Sequence, residues 1–393
     1  MSATRAKRLL ALSAFVLANA APTASARAAE GAEAFDPSRP ARFVLEPALV
    51  SSRVVEQGTL PKNAVVAFRL RVASSISHPP VATPQGTVLV AHADPILAEH
   101  DGRGRLLWAA RLGGSAAAVS PAVLADGRRV VLTEGTELLA FERDGRLVHE
   151  QRLPLGAFAT APSLDATPDG GLLLAAGFRV VRLDAALGLV FEARLDRELR
   201  VVLGTNEPPL AVARDGTVYV LSPEGRASAR ARFGAEVDAA VRLDANRVLA
   251  VTGGRRLVEL DLGTGREAVR YADGDASIAP ILAALANDET RLLPRRDTLV
   301  AYAPKGNERF RAALGATGGA AGSGDAGEIL LDRVGTTLVV RGSADVVTVA
   351  SDGLVARVEG SACPDPLRPA FLAPRSAVIA CRSGILLRLD PHR

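Results

Sequence analysis

The 393 residues include only two cysteines, one tryptophan and one methionine, with five histidines and three lysines. Two cysteines, Cys363 and Cys381, allow one disulfide at most. They exclude a cysteine-rich scaffold and a four-cysteine zinc site. Aromatic residues make up 4% of the chain, and the lone Trp108 leaves little to sandwich a flat cofactor. The histidines, at 78, 92, 100, 149 and 392, are scattered, and a metal centre needs several ligands at close range. No GxSxG, HExxH or phosphate-loop pattern occurs, so no nucleophile, zinc protease or nucleotide motif is expected. After residue 21 no apolar run is long enough to cross a bilayer as a helix. The three lysines are Lys7, Lys62 and Lys305, so 47 basic residues minus 3 leaves 44 arginines. With abundant alanine and glycine, this is the composition of a GC-rich coding bias.

The N-terminus reads as an export signal. Arg5, Lys7 and Arg8 precede an apolar stretch from Leu9 to Ala21, followed by small-x-small sites. Cleavage after Ala26 is favoured over Ala20 and Ala28. No cysteine follows the apolar stretch, so no lipid anchor is expected, and the mature chain should be periplasmic or extracellular. Removing residues 1–26 deletes three positive charges and no acids, taking +4 to +1. No global basic field for nucleic acid remains. Residues 27–41 lack periodicity and read as a linker, and 42–59 are ambiguous.

The rest is repetitive. From Pro121 to Leu155, three short apolar runs and a fourth leading in are separated by Asp126-Gly127, Glu134-Gly135 and Asp144-Gly145. An acid followed by Gly between apolar runs marks a tight hairpin, because Gly accepts the positive φ. The unit is a four-stranded antiparallel meander. Aligned on the residue opening each first strand, units start near 79, 121, 162, 209, 239, 280, 327 and 369. A period near 40 with short, continuous apolar runs predicts blades packed on both faces, and therefore a β-propeller. The unit from Pro209 is short and is expected to lack one hairpin, with 196–208 and 315–327 as long connections between blades. The last unit lacks an outer strand. Ala64–Val72 is an outer-type strand without a blade. The expected fold is all-β, a single eight-bladed propeller spanning 42–393, with 64–72 completing the last blade.

The third turn of each unit is centred on glycine: Gly104, Gly145, Gly188, Gly225, Gly265, Gly306 and Gly353. Three or four residues later stands Trp108, Phe191 or Phe310, with His149 in the same slot. This pattern resembles the PQQ-like propeller repeats of bacterial exported proteins, in which an outer-strand tryptophan wedges against the neighbouring blade. In repeat type and blade number the chain also resembles the propeller lipoproteins of the outer-membrane β-barrel assembly machinery. The resemblance implies an exported, non-catalytic binding or scaffold protein. The alternative it implies is a divergent quinoprotein dehydrogenase. PQQ-dependent dehydrogenases carry adjacent cysteines over the quinone, and Cys363 and Cys381 are not adjacent. No cofactor is expected.

Propeller topology puts the connections between blades, and the turns between second and third strands, on one face, here the top, where ligands bind in this architecture. Arg255-Arg256 and Arg295-Arg296 fall in equivalent top turns of adjacent blades. They form the candidate patch for an anionic ligand or a protein partner. Three Arg-Arg pairs among 44 arginines are no excess, so placement alone recommends them, and Arg128-Arg129 is left as a chance pair. His78 and His92 should approach each other on the top of the first blade, with His100 at the other end of its strand. Cys363 and Cys381 should both reach the top of the last blade and form a disulfide. A monomer is expected.

Overall fold

The computed structural model describes residues 43–45, 60, 64–155, 161–167, 169–204, 208–254, 256–272, 283–285, 291–295, 298–303, 307–315, 328–331, 336–340, 345–373 and 375–391. The segments expected to be signal peptide and linker, 1–26 and 27–41, and residues 316–327 of an expected connection lie outside them. The described strands form four-stranded antiparallel meanders in eight sheets. Blade 1 is Val81–Ala82, Val88–Ala91, Ile96–His100 and Leu106–Arg111. Blade 2 is Ala122–Val123, Arg129–Leu132, Glu137–Phe141 and Leu147–Arg152. Blade 3 is Ser163–Ala166, Leu172–Ala176, Arg179–Leu183 and Leu189–Arg194. Blade 4 is Leu199–Leu203, Leu210–Ala213, Thr217–Leu221 and Ala227–Arg232. Blade 5 is Val237–Arg242, Arg247–Thr252, Arg256–Asp261 and Glu267–Ala272. Blade 6 is Ala283–Leu285, Arg291–Arg295, Thr298–Tyr302 and Glu308–Ala313. Blade 7 is Glu328–Leu331, Thr337–Val340, Val347–Val349 and Val355–Arg357.

The last sheet contains Ala370–Ala373, Ser376–Cys381 and Ile385–Pro391, and its outer strand is Ala64–Arg71. Ala64–Arg71 runs antiparallel to the third strand, with Val66 opposite Leu389 and Arg71 opposite Ile385. Phe43–Leu45 adds a fifth strand at the inner edge of blade 6, pairing with Ala283–Leu285.

The unit expected to start at Pro209 is different. Blade 4 has all four strands, and its first is Leu199–Leu203, inside the stretch read as a connection. Pro209 instead precedes the second strand. A proline marks the start of the first strand in most other units, and the same signal before the second strand shifted the alignment by one hairpin arm. With Leu199 as the start, no hairpin is missing.

The continuous apolar runs follow from burial on both faces. In blade 1, Val88 and Val90 pack with Val378 and Leu386 of the last sheet, whereas Leu89 and Ala91 pack with Val131 and Leu139 of blade 2. In blade 3, Leu172 and Leu174 face blade 2, and Leu173 and Ala175 face blade 4. Because side chains alternate along a strand, a strand packed on two neighbours must be apolar at every position. Similar clusters join blades 4 and 5, 6 and 7, and 7 and the last sheet. Tyr302 of blade 6 packs on the cluster of blades 4 and 5. The core is therefore a series of apolar layers between blades.

Four outer strands lock this arrangement with one aromatic each. Trp108 stacks on Phe141 of the next blade, with centroids 6.0 Å apart. Its ring also covers Gly145, where an added Cβ would lie 2.6 Å from Trp108. Phe191 covers Gly225, Phe310 covers Gly353, and Phe68 covers Gly104 in the same way. Each of these glycines has φ above +80°, so it serves both the turn and the close approach. The glycine and the aromatic of one unit thus belong to two different contacts, each completed by a neighbouring blade. His149 does not share this role; it is half-buried, and its Nε2 lies 3.3 Å from Gln151 Oε1.

Candidate functional site

On the top face, the connections before and after blade 4 and the turn between its second and third strands enclose an open groove of about 290 Å³. Glu198, Arg214, Asp215 and Glu236 line it. The local geometry comes from the turn itself. Asp215 Oδ1 accepts the Thr217 amide at 3.0 Å, and Gly216 adopts φ +95°. Arg197 and Arg232 approach Asp215 at 3.3 and 3.5 Å, and Arg214 approaches Glu236 at 3.8 Å. Beside the groove, the Tyr219 hydroxyl donates to Asp196 Oδ1 at 2.5 Å. Burial, then that bond and its carboxylate, push the Tyr219 hydroxyl up to about 12. The same bond, ahead of other causes, holds Asp196 below the usual carboxylate range. For Asp215 burial acts upward, but the Thr217 contacts and the two guanidiniums outweigh it, and its carboxyl is also lowered. These groups stay in their ordinary charged or neutral forms around neutral pH. They suit ionic recognition, and they are not poised for proton transfer.

Of the candidate arginines, Arg256 lies next to this groove, in the hairpin whose turn contacts Glu236. Arg256 opens the third strand of blade 5, opposite Thr252, and is exposed. The turn before it is held by Gly253 N donating to Glu236 O at 3.0 Å and Gly254 N donating to Asp238 Oδ2 at 2.5 Å. Arg295 ends the second strand of blade 6, opposite Thr298. The backbones of Arg256 and Arg295 thus stand at the same strand ends of adjacent blades. Arg255, Arg296 and the Arg295 side chain lie outside the described residues.

Cys363 and Cys381 are bonded as a disulfide, with Cα atoms 5.5 Å apart and both residues fully buried. It ties the connection into the last sheet to the end of that sheet's second strand. His78 Nε2 donates to Ala117 O at 2.8 Å, linking the entry of blade 1 to the connection into blade 2. His92 follows the second strand of blade 1, and His100 Nδ1 lies 3.2 Å from Gly104 O at the opposite end. Among the described residues no group of three His, Cys, Asp or Glu side chains is placed to hold a metal ion. No helix among them is long and apolar enough to cross a membrane.

Sequence reasoning missed two features. Of the groove, Glu198 fell in the stretch read as a long connection, and the strand of blade 4 that starts at Leu199 brings it beside Arg214 and Asp215. The Arg128-Arg129 pair was read as chance. Arg129 is 2% exposed and clamps Glu99 of blade 1, with Nε and Nη2 at 2.7 and 2.6 Å from its carboxylate oxygens. Thr87 Oγ1 also donates to Glu99, and Arg129 Nη1 donates to Gly127 O. Arg128 pairs with Asp126 at 2.7 Å and reaches Ala185 O of blade 3 at 2.5 Å. The signal available in sequence was an arginine opening an otherwise apolar second strand.

The family model described as outer membrane protein assembly factor BamB matches residues 57–225 and 192–362. The chain belongs to the BamB family of PQQ-like propellers. Similar solved structures agree in fold. BamB from Moraxella catarrhalis is 12% identical, with a TM-score of 0.54, covering 83% of this chain and 97% of that one. Virginiamycin B lyase from Staphylococcus aureus is 10% identical, with a TM-score of 0.53, covering 84% and 100%. The computationally designed protein Ika8 is 13% identical, with a TM-score of 0.62, covering 85% and 99%. At these identities the likeness is one of fold. No curated protein matches the chain in sequence. As in the rest of this BamB-type propeller, the top-face elements are connections and turns carried on buried strands, the usual place for recognition residues on a rigid frame.

Proposed function

We propose that this BamB-family chain is an exported, non-catalytic scaffold of the cell envelope, built as one eight-bladed ring closed by Ala64–Arg71, and that its top face binds a protein partner. The observation that carries the reading is the family match, which spans most of the chain from 57 to 362. The buried disulfide supports it, because such bonds persist in oxidising compartments. Residues 1–26 serve as the signal peptide and 27–41 as a linker. Arg255, Arg256, Arg295 and Arg296 recognise an acidic surface of the partner, and the neighbouring carboxylates of Glu198 and Glu236 disfavour basic competitors. The scaffold acts as a monomer and calls on no cofactor.

The experiment is affinity capture from envelope extract with the wild type and with Arg255, Arg256, Arg295 and Arg296 all changed to Glu. The variant is expected to lose the captured partner while keeping its melting temperature. Undiminished capture by the variant removes these arginines from the interface. Capture of no envelope protein by the wild type counts against the scaffold itself.

A further inference from the structure

Among the described residues, seven of the eight sheets have four strands, and the sheet of blade 6 has five. The added strand, Phe43–Leu45, runs antiparallel to Ala283–Leu285, with Phe43 opposite Leu285, Val44 opposite Ala284 and Leu45 opposite Ala283. Ala283–Leu285 is the first strand of its blade, and first strands line the central channel of a propeller. Phe43–Leu45 also lies beside Val237–Arg242 and Glu328–Leu331, the first strands of blades 5 and 7. It therefore stands in the channel, walled by three blades.

Blade 6 has its own four strands without this segment, so Phe43–Leu45 is not needed to complete a blade. What it does is cover a sheet edge whose N–H and C=O groups would otherwise face the channel unpaired. Its hold is short: it is three residues long, against eight for Ala64–Arg71 in the last sheet. Pro40 and Pro47 flank it, and a proline cannot donate to a ladder, so the pairing cannot lengthen far in either direction. We infer that the inner edge of blade 6 is a strand-addition site, that Phe43–Leu45 keeps it closed in cis, and that an extended apolar segment of a partner protein takes it when this strand releases. The occupant's chemistry follows from the segment already seated there, an aromatic, a β-branched and an aliphatic residue in extended form. Main-chain bonds give such a site its affinity, so other apolar strands can replace this one. The walls decide the occupant's shape. A folded domain cannot enter between the first strands of three blades, whereas a single extended chain can.

The test traps the pairing covalently in a glutathione redox buffer. In the protein as recovered from its producing cells, Val44→Cys with Ala284→Cys is expected to form a disulfide within one molecule, because opposite residues of an antiparallel pair lie within bridging range. A synthetic peptide of residues 40–48 carrying Val44→Cys is then offered to the Ala284→Cys protein, with its N-terminal segment intact or lacking residues 27–48. Capture by the shortened protein is expected to be at least about tenfold greater, since a strand seated nine-tenths of the time costs a competitor about that factor. Val44→Pro in the unshortened Ala284→Cys protein, which removes a backbone donor, should raise capture in the same direction. Peptides carrying Phe43→Cys or Leu45→Cys instead should be captured several-fold less, because neighbouring positions of a strand point to opposite faces. Equal capture by the open and closed proteins, capture indifferent to register, or no capture by either overturns the inference. So does a double variant that forms no bond, or one that bonds between molecules, which would assign the edge to a second copy. Partner capture through the top-face arginines is measured separately, so either reading can fail alone.

Discussion

At the scale of single residues, the stabilising contact with the most at stake is the Arg129–Glu99 pair between blades 1 and 2. Its members are 2% and 1% exposed. Removing one partner leaves the other charge buried without compensation. Arg129→Ala is expected to cost about 3–5 kcal/mol, whereas Arg129→Met with Glu99→Leu should be near neutral, because two desolvation costs vanish together. Urea unfolding of the three proteins decides this, and equal losses in single and double variants would mean the ion pair is itself the stabilising element. The histidines give a pH dependence. Burial, the largest cause in each case, pushes His78, His92 and His100 below their ordinary value of 6.5. A depressed imidazole is neutral in the folded chain and takes up a proton more readily when unfolded. The unfolded state therefore binds more protons, and stability is full above pH 6.5 and declines as pH falls from there through the folded values. The urea midpoint should drop between pH 7.5 and 5.5, and His78→Gln should flatten that drop. A midpoint independent of pH across this range would show that these imidazoles titrate alike in both states.

At the scale of elements, the unit of stability is a pair of neighbouring blades. The Trp108 ring and Gly145 belong to different units, and an alanine at 145 would meet both a φ of +84° and the indole. Gly145→Ala should cost clearly more than the roughly 1 kcal/mol of backbone strain alone. Gly265 has φ +68° and open space around it, so Gly265→Ala isolates the backbone part. Trp108→Ala should cost about 2–3 kcal/mol, below the fully buried range because the ring is half-exposed. In the Trp108→Ala background Gly145→Ala should become cheaper, and thermal melts of this cycle measure the coupling. Additive losses would mean that the ring does not press on the glycine. The Gly-to-aromatic spacing was legible in sequence as a repeat, but its partner was not, since spacing within a unit says nothing of contacts between units. Blade 4 shows the other limit. The strand Leu199–Leu203 carries strand-like residues, yet Pro209 drew the boundary to the wrong arm. A proline marks an edge or entry and does not say which strand it opens.

At the scale of the whole molecule, the strand furthest from its sheet in sequence is Ala64–Arg71. It pairs with Ile385–Pro391 along nearly its full length, and Phe68 and Leu70 reach Gly104 of blade 1. Arg388 of the last sheet donates to Gly102 O, and Arg69 Nη1 donates to Ala362 O at 2.6 Å. Deleting residues 27–73 removes this strand with the contacts of Phe68, Arg69 and Leu70 and bares a sheet edge, so it should cost several kcal/mol and promote aggregation. Deleting 27–41 should be nearly neutral, and chemical unfolding with light scattering separates the two. Equal stability of both truncations would show that this strand is not structurally required.

What the sequence by itself determined is the local grammar of the protein. Asp-Gly and Glu-Gly turns between short apolar runs specify hairpins, and runs apolar at every position specify sheets buried on both faces. Repetition near 40 residues then specifies a propeller. These are properties of a few consecutive residues, and they survive without knowledge of neighbours. The tertiary structure alone decided what pairs across distance. It brought Arg129 to Glu99, set each aromatic on the next blade's glycine, and gathered Glu198, Asp215 and Glu236 into one groove. In each case the energy depends on burial and on charges from different units, and neither is defined until the blades are in place.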